Sequence, residues 1–210
     1  MDKKLVLLGG GGHCKSVLDA ALRMDIFDSI VITDPNMPVG SEVFGCKVVG
    51  TDDCLKQLRR DGFNLAFITV GSVKVSNVRE HLVEKAKRHG FAFPIIKDPS
   101  AIVSDRVEIG EGTFVGKGVA INADTTVGAH CIINTGAIVE HECRIGDYSH
   151  ISVGTVLCGA VNVGRNSLVG AGSTVIQCVS VGNNVTVGAN STVLSDVENN
   201  STVYGVVNRK

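Results

Sequence analysis

The compact polar segment HECRIGDYSH, His141 to His150, holds the side chains best suited to chemistry in this chain. His141 is followed at once by Glu142. A carboxylate beside an imidazole can hold one tautomer and raise its basicity, which is what a general base needs. Two outward-facing histidines on a polar surface would show the same pattern, and spacing alone does not choose between the readings. Of the other histidines, His81 and His89 fall among Glu, Lys and Arg on a helical stretch and read as solvated surface. His130 follows Gly128-Ala129 in a turn, with no evident partner in the sequence. A zinc site would need histidines converging on one ion with an open position for water. His130, His141 and His150 fall at three different positions of the repeat described below, so no metal is expected.

A second candidate site lies at the start. Residues 4–9, KLVLLG, read as a buried strand, and Gly9, Gly10, Gly11 and Gly12 follow, then His13, Cys14 and Lys15 and the helical pattern SVLDAALRM. Strand, glycine loop and helix present backbone N–H groups and a helix N-terminus to an anion. The next strand, SIVITD, ends at Asp34, about where a ribose-binding acid sits in dinucleotide folds. The loop does not match GxGxxG, and a glycine turn can also serve only close helix packing.

Both candidate sites need a scaffold, and the larger scaffold is written as a period. From Val103 to Val193 every sixth residue is aliphatic, sixteen positions without a miss. Two residues earlier stand small or β-branched residues: Thr113, Thr125, Ala137, Ser149, Thr155, Ser167, Ser173 and Ser191. Glycines recur every eighteen residues at Gly110, Gly128, Gly146, Gly164 and Gly182, and glycine and asparagine near the corners are expected to permit the positive φ of tight turns. Six residues make one flat face and eighteen one triangular coil of a parallel β-helix, whose apolar row is buried only by stacking. His141 and His150, half a coil apart, face different sides of such a prism. They meet only if a second copy packs alongside, which points to a site shared between subunits.

Upstream, strands alternate with helices. Strands are expected at SIVITD, KVVG, LAFITVG and FAFPII, with helices from about Asp52 to Arg60 and from about Val73 to His89. The second helix would bury Val75, Val78, Leu82, Val83 and Ala86. This pattern predicts a small parallel α/β domain.

The 210 residues have a formal net charge of −1, with no basic stripe for nucleic acid. No apolar run approaches the roughly 20 residues that span a bilayer, so no membrane association is expected. The seven cysteines lack metal spacing, and their odd number without an export signal reads as reduced thiols in a cytoplasmic protein. Cys131 and Cys143 fall at the small-residue position of the repeat.

The combination of GGGGHCKSVLDA, ITD, ITVG and a hexapeptide solenoid containing NTGAIVEHECRIGDYSHIS resembles the sugar O-/N-acyltransferases. Within them it is similar to the bacterial nucleotide-amino-sugar N-acetyltransferases of bacillosamine and perosamine type. The resemblance implies an N-terminal Rossmann-like α/β domain over residues 1–97. An all-β left-handed parallel β-helix, the hexapeptide-repeat solenoid, would occupy 98–210. It implies a homotrimer with active sites between subunits, acetyl-CoA as co-substrate and a nucleotide-linked 4-amino-4,6-dideoxy sugar as acceptor, UDP-linked in preference. By the same resemblance His141 is the general base and Glu142 the residue that raises its basicity. His150, Gly159 and Ala171 line the acetyl-CoA groove, and Gly9 to His13 with Asp34 hold the nucleotide-sugar. The alternatives are an O-acetyltransferase of sialic acid or another sugar, a zinc hydratase on the same solenoid, and a non-catalytic nucleotide-sugar binding subunit that partners a synthase. The chain departs from the family in ending GVVNRK and in reading Asp34-Pro35-Asn36 where an acidic pair or triplet is common.

Overall fold

A computed structural model describes residues 2–71 and 76–208, and contacts divide it into two compact units. One runs to Gly71 and resumes over Asn77–Ile96; the other holds the chain from Lys97 onward.

In the first unit, β1 (Lys4–Leu8) is followed by α1 (Gly12–Met24), β2 (Ser29–Thr33), β3 (Glu42–Val43) and β4 (Cys46–Gly50). A 3₁₀ turn, Asp52–Cys54, leads into α2 (Leu55–Arg60), then β5 (Leu65–Ile68) and α3 (Val78–Arg88). The sheet order is β3-β4-β2-β1-β5. All its pairings are parallel except the β3–β4 hairpin. The central β1 buries Leu5, Val6, Leu7 and Leu8 completely or nearly so, as a strand covered on both faces requires.

The expected FAFPII strand is not continuous. Ala92 makes one parallel bridge to Leu65, and Ile96 belongs to a separate two-residue strand, Ile96–Lys97. Pro94 lies between them and has no N–H for a ladder. The hairpin strand β3 was not anticipated; two residues are too few to show a period. The helix expected from about Val73 begins at Val78, and Val73 and Val75 lie outside the described residues. Val83 and Ala86 are buried as expected, but Val78 is exposed and Arg79 is buried instead.

The second unit is the expected solenoid. Two-residue strands recur every six residues from Ile102–Val103 to Thr192–Val193. They stack in three parallel sheets, with each strand pairing the one eighteen residues away, as in Ile121↔Val139 and Ile133↔Ile151. Val115, Ile133, Val139, Ile151, Leu157, Val169, Val175, Val187 and Val193 are fully buried in the shared core.

The small-residue position does more than avoid crowding. Thr113 Oγ1 donates to Gly128 O at 2.8 Å and accepts from Cys131 N at 3.0 Å. Thr125 repeats this with Glu140 O and Cys143 N, and Ser149 with Gly164 O and Ser167 N. Each hydroxyl bonds one coil to the next where water cannot reach, satisfying backbone groups that burial would otherwise leave costly.

Glycine and asparagine take up positive φ at many corners, as expected, but the period-eighteen glycines do not. Positive φ falls elsewhere, at every sixth residue from Gly112 to Asn190: Gly112, Gly118, Asp124, His130, Gly136, Glu142, Tyr148, Gly154, Ala160, Asn166, Gly172, Cys178, Asn184 and Asn190. These are the prism corners, three residues past each core aliphatic. The glycines after the aliphatic residues instead permit close approach of coils. A Cβ on Gly146 would lie 2.7 Å from Arg165 N and 2.9 Å from Gly164 C. Because those atoms are backbone, neither can swing aside. Gly146→Ala is therefore expected to cost about 1–3 kcal/mol, read as a drop of several degrees in the thermal midpoint by circular dichroism. An unchanged midpoint would mean the coils can separate freely.

Candidate active site

His141 and Glu142 form one corner of the prism. The ladder pins both: Glu142 N donates to Ala123 O at 3.0 Å, and Ala160 N donates to His141 O at 2.9 Å. Glu142 has φ +60, a left-handed conformation uncommon for a residue without a short polar side chain. His141 Nδ1 lies 3.1 Å from Glu142 Oε2, with both side chains largely exposed. That contact favours the tautomer with the proton on Nδ1 and the lone pair on Nε2.

One coil on, Gly159 lies beneath the imidazole. A Cβ there would come within 2.7 Å of both Cε1 and Nε2 of His141. The missing side chain thus makes the space the ring occupies. Ala171 is exposed at a different corner, where its carbonyl accepts from Asn190 N at 2.8 Å. Gly159 and Ala171 therefore do not meet on one copy.

His150 stands on a flat face, in register between Ile132 and Leu168. It is buried, with Nε2 3.2 Å from Asn134 Nδ2. The expected separation of His141 and His150 on one prism holds: one ring is exposed at a corner, the other enclosed on a face. His130, read from sequence as lacking a partner, is buried and stacks on Tyr148 with ring centroids 5.1 Å apart. Its Nε2 lies 3.9 Å from Glu111 Oε1, and Arg165 covers the far face of Tyr148 at 5.3 Å. His130 and Tyr148 are successive members of one corner column, which sequence reading missed because corner residues vary in type. Among the described residues no group of three His, Cys, Asp or Glu is placed to hold a metal ion.

Cys143 is unsuited to covalent catalysis. It is buried, its thiol donates to Cys158 O at 3.2 Å, and burial pushes its pKa up to about 11. Its thiol takes the place of the bridging hydroxyls in the other coils.

In the first unit, the glycine loop is braced by Asp34. Its Oδ2 accepts from Gly10 N at 2.6 Å and its Oδ1 from Asn36 N at 2.7 Å. Gly9, at φ +112, is tied by Thr69 Oγ1 to its carbonyl at 2.5 Å and by its own N–H to Thr33 O at 2.8 Å. The carboxylate placed near a ribose by the sequence thus braces the loop, each oxygen accepting from one backbone amide. A Cβ on Gly10 would meet the flexible end of Met37, whose side chain would have to move aside. Gly11 and Gly12 face open space, and α1 starts with no side-chain cap hydrogen bond, at the kind of helix N-terminus that favours an anion. His13 is half-buried on the first turn. A cleft of about 450 Å³ opens here, lined by Gly10, Gly11, Gly12, Lys15, Met37, Glu42, Val43 and Phe44. Lys15 was not singled out from sequence, although its i, i+3 spacing from Gly12 puts it on the same side of the helix.

The thiols give a direct check on this environment. Burial also raises the Cys14 pKa to about 11, whereas Cys178 is exposed. Since the thiolate is the reactive form, alkylation of native protein at about pH 7 is expected to label Cys178 first, with Cys14 and Cys143 spared until denaturant is added. Peptide mass spectrometry reads the order; early labelling of Cys143 would contradict its enclosure.

Comparison with known proteins gives consistent matches. Residues 4–86 match the family described as PglD N-terminal domain, and residues 160–195 match the bacterial transferase hexapeptide (six repeats). No curated protein matches the sequence. The acetyltransferase domain of PglB from Neisseria gonorrhoeae, solved in complex with acetyl coenzyme A, is 33% identical with a TM-score of 0.90, over 98% of this chain and 97% of that one. A histidine-to-asparagine variant of perosamine N-acetyltransferase from Caulobacter crescentus was solved in complex with CoA and GDP-perosamine. It is 37% identical with a TM-score of 0.88, over 96% of this chain and 93% of that one. WeeI from Acinetobacter baumannii, 18% identical with a TM-score of 0.77 over 97% of both chains, shares the fold.

Proposed function

Since the chain belongs to the left-handed β-helix sugar acyltransferases, among the acetyltransferases of bacillosamine and perosamine type, we propose that it transfers the acetyl group of acetyl-CoA to the amino group of a nucleotide-linked 4-amino-4,6-dideoxy sugar. The observation that carries this reading is the His141 corner: an exposed imidazole, bonded through Nδ1 to Glu142 and seated over Gly159.

His141 Nε2 accepts a proton from the sugar amine as its nitrogen bonds to the thioester carbonyl carbon. Glu142 accepts the Nδ1–H bond throughout and offsets the charge of the imidazolium that forms. His141 then returns the proton to the departing sulfur, leaving an amide and free CoA thiol. No protein nucleophile is needed, in keeping with the enclosed Cys143. Positioned proton transfer of this kind contributes about 10²–10⁴-fold.

The nucleotide-sugar is assigned to the first unit, its diphosphate against Gly10, Gly11, Gly12, His13 and Lys15 at the start of α1, with Gly9 and Asp34 shaping that loop. The resemblance favours UDP as the carrier, whereas the perosamine relative holds its sugar on GDP. The acetyl donor is assigned the groove by His150, Gly159 and Ala171. Gly159 and Ala171 occupy different corners, so a groove lined by both is one built between copies. Support for a homotrimer comes from the outward row of the sheet that ends at the His141 corner. Ile102 and Ile138 point to solvent there, beside the half-buried Ala120 and Val156. An exposed aliphatic row is the kind of surface that another subunit covers. All seven cysteines are free, as suits a cytoplasmic setting, and no described helix is long and apolar enough to cross a membrane.

The test is CoA release with acetyl-CoA and the amino-sugar nucleotide. His141→Ala is expected to lower kcat by about 10²–10⁴-fold with KM little changed. Gly159→Ala, which displaces the ring without removing it, is expected to fall between that variant and wild type. Light scattering is expected to give three chains per particle. Full activity in His141→Ala would remove the base from the account.

A further inference from the structure

The 450 Å³ cleft is lined from two elements of different chemistry. The glycine loop and Lys15 supply N–H groups and a positive charge, and the β3–β4 hairpin supplies Glu42 and Phe44. Phe44 and Gly45 form the two-residue turn of that hairpin, with φ +48 and +80. Asn, Asp or Gly is the usual occupant of the first position of such a turn, and a large aromatic there is unusual. Phe44 is 58% exposed, and its ring is not part of the unit's core. A rigid aromatic held outward at the rim of a polar cleft offers a face on which a planar base can stack, and stacking accepts every base alike.

Glu42 is the acidic side chain in the lining of this cleft. It is exposed and lines the same cleft, and no hydrogen bond or ion pair among the described residues engages its carboxylate. An ionised carboxylate is acceptor-only, with two oxygens side by side. Guanine presents two adjacent donors, N1–H and the N2 amino group, and satisfies both oxygens at once. Uracil presents one N–H between two carbonyls, which the carboxylate repels. Adenine presents a ring acceptor beside its amino group. We infer that Glu42 and Phe44 form the base subsite of the nucleotide-sugar cleft and that they select guanine, making the acceptor a GDP-linked amino sugar. This rests on the assignment of the nucleotide to the first unit and names its base.

The experiment measures binding and turnover separately. Calorimetry with GDP and UDP, without sugar or acetyl-CoA, is run on the full chain as wild type, Glu42→Gln and Phe44→Ala. Acetyl transfer to the GDP- and UDP-linked forms of one 4-amino-4,6-dideoxy sugar is measured in parallel. Wild type is expected to bind GDP at least about tenfold more tightly than UDP, because a hydrogen bond to a charged group commonly gives that factor or more. Glu42→Gln is expected to lose most of that preference through weaker GDP binding, with UDP binding within about twofold. Phe44→Ala is expected to weaken both nucleotides. Thermal midpoints matching wild type establish that the variants are folded. Equal or tighter binding of UDP by wild type, or a GDP preference intact in Glu42→Gln, overturns the inference even if acetyl transfer proceeds. Glu42-dependent GDP binding with no acetyl transfer to either sugar supports the base subsite and contradicts the acetyltransferase reading.

Discussion

Coil-on-coil registry is the constraint on which the solenoid and its site depend. Each two-residue strand is too short to persist alone; it is held by the equivalent strands eighteen residues before and after it. The aliphatic ladders supply the burial, and the threonine and serine hydroxyls tie consecutive coils together from inside. Glycines such as Gly146 set how closely the coils approach. Because registry is strict, a side chain at one corner sits over a known side chain in the next coil. That is how His141 comes to lie over Gly159, with a backbone fixed by Ala123 and Ala160 on either side. The role proposed for His141 would gain from its being held in this way, since a misplaced proton acceptor forfeits much of its rate advantage.

The corners also explain the company His141 keeps. Every corner demands a left-handed residue, usually met by glycine or asparagine, as at Gly136 and Asn166. Glu142 occupies such a corner at a cost of about 1–2 kcal/mol relative to a relaxed backbone. Its conformation sets the carboxylate beside the neighbouring imidazole. Strain placed where a site needs geometry, and offset by the rest of the ladder, is a recurring arrangement at functional positions.

Much of the solenoid was legible in the sequence, because a period of six survives single substitutions and sixteen in-phase aliphatics admit few other folds. The histidine–glutamate pair was legible for the same reason: adjacency needs no tertiary knowledge. What escaped the sequence was set by contacts across coils or strands. The glycines at period eighteen looked like turn residues and proved to be packing residues, a distinction that depends on the next coil's backbone. His130 gained Tyr148 as a stacking partner only through registry. Asp34 looked like a ribose ligand from its place after β2, and its bracing of the loop through Gly10 was not visible there. Of the β3–β4 hairpin only β4 was legible, as KVVG; β3, with Glu42, and the turn at Phe44 were not, because a two-residue strand has no period.

The measurement that tests the account most directly is mass spectrometry of a nucleotide-linked 4-amino-4,6-dideoxy sugar after incubation with acetyl-CoA and the protein, with fragmentation to locate the new group. The account predicts one added acetyl on the sugar nitrogen, formed by wild type and nearly absent with His141→Asn. An unmodified sugar across GDP- and UDP-linked forms, or an acetyl found on a hydroxyl, would contradict it.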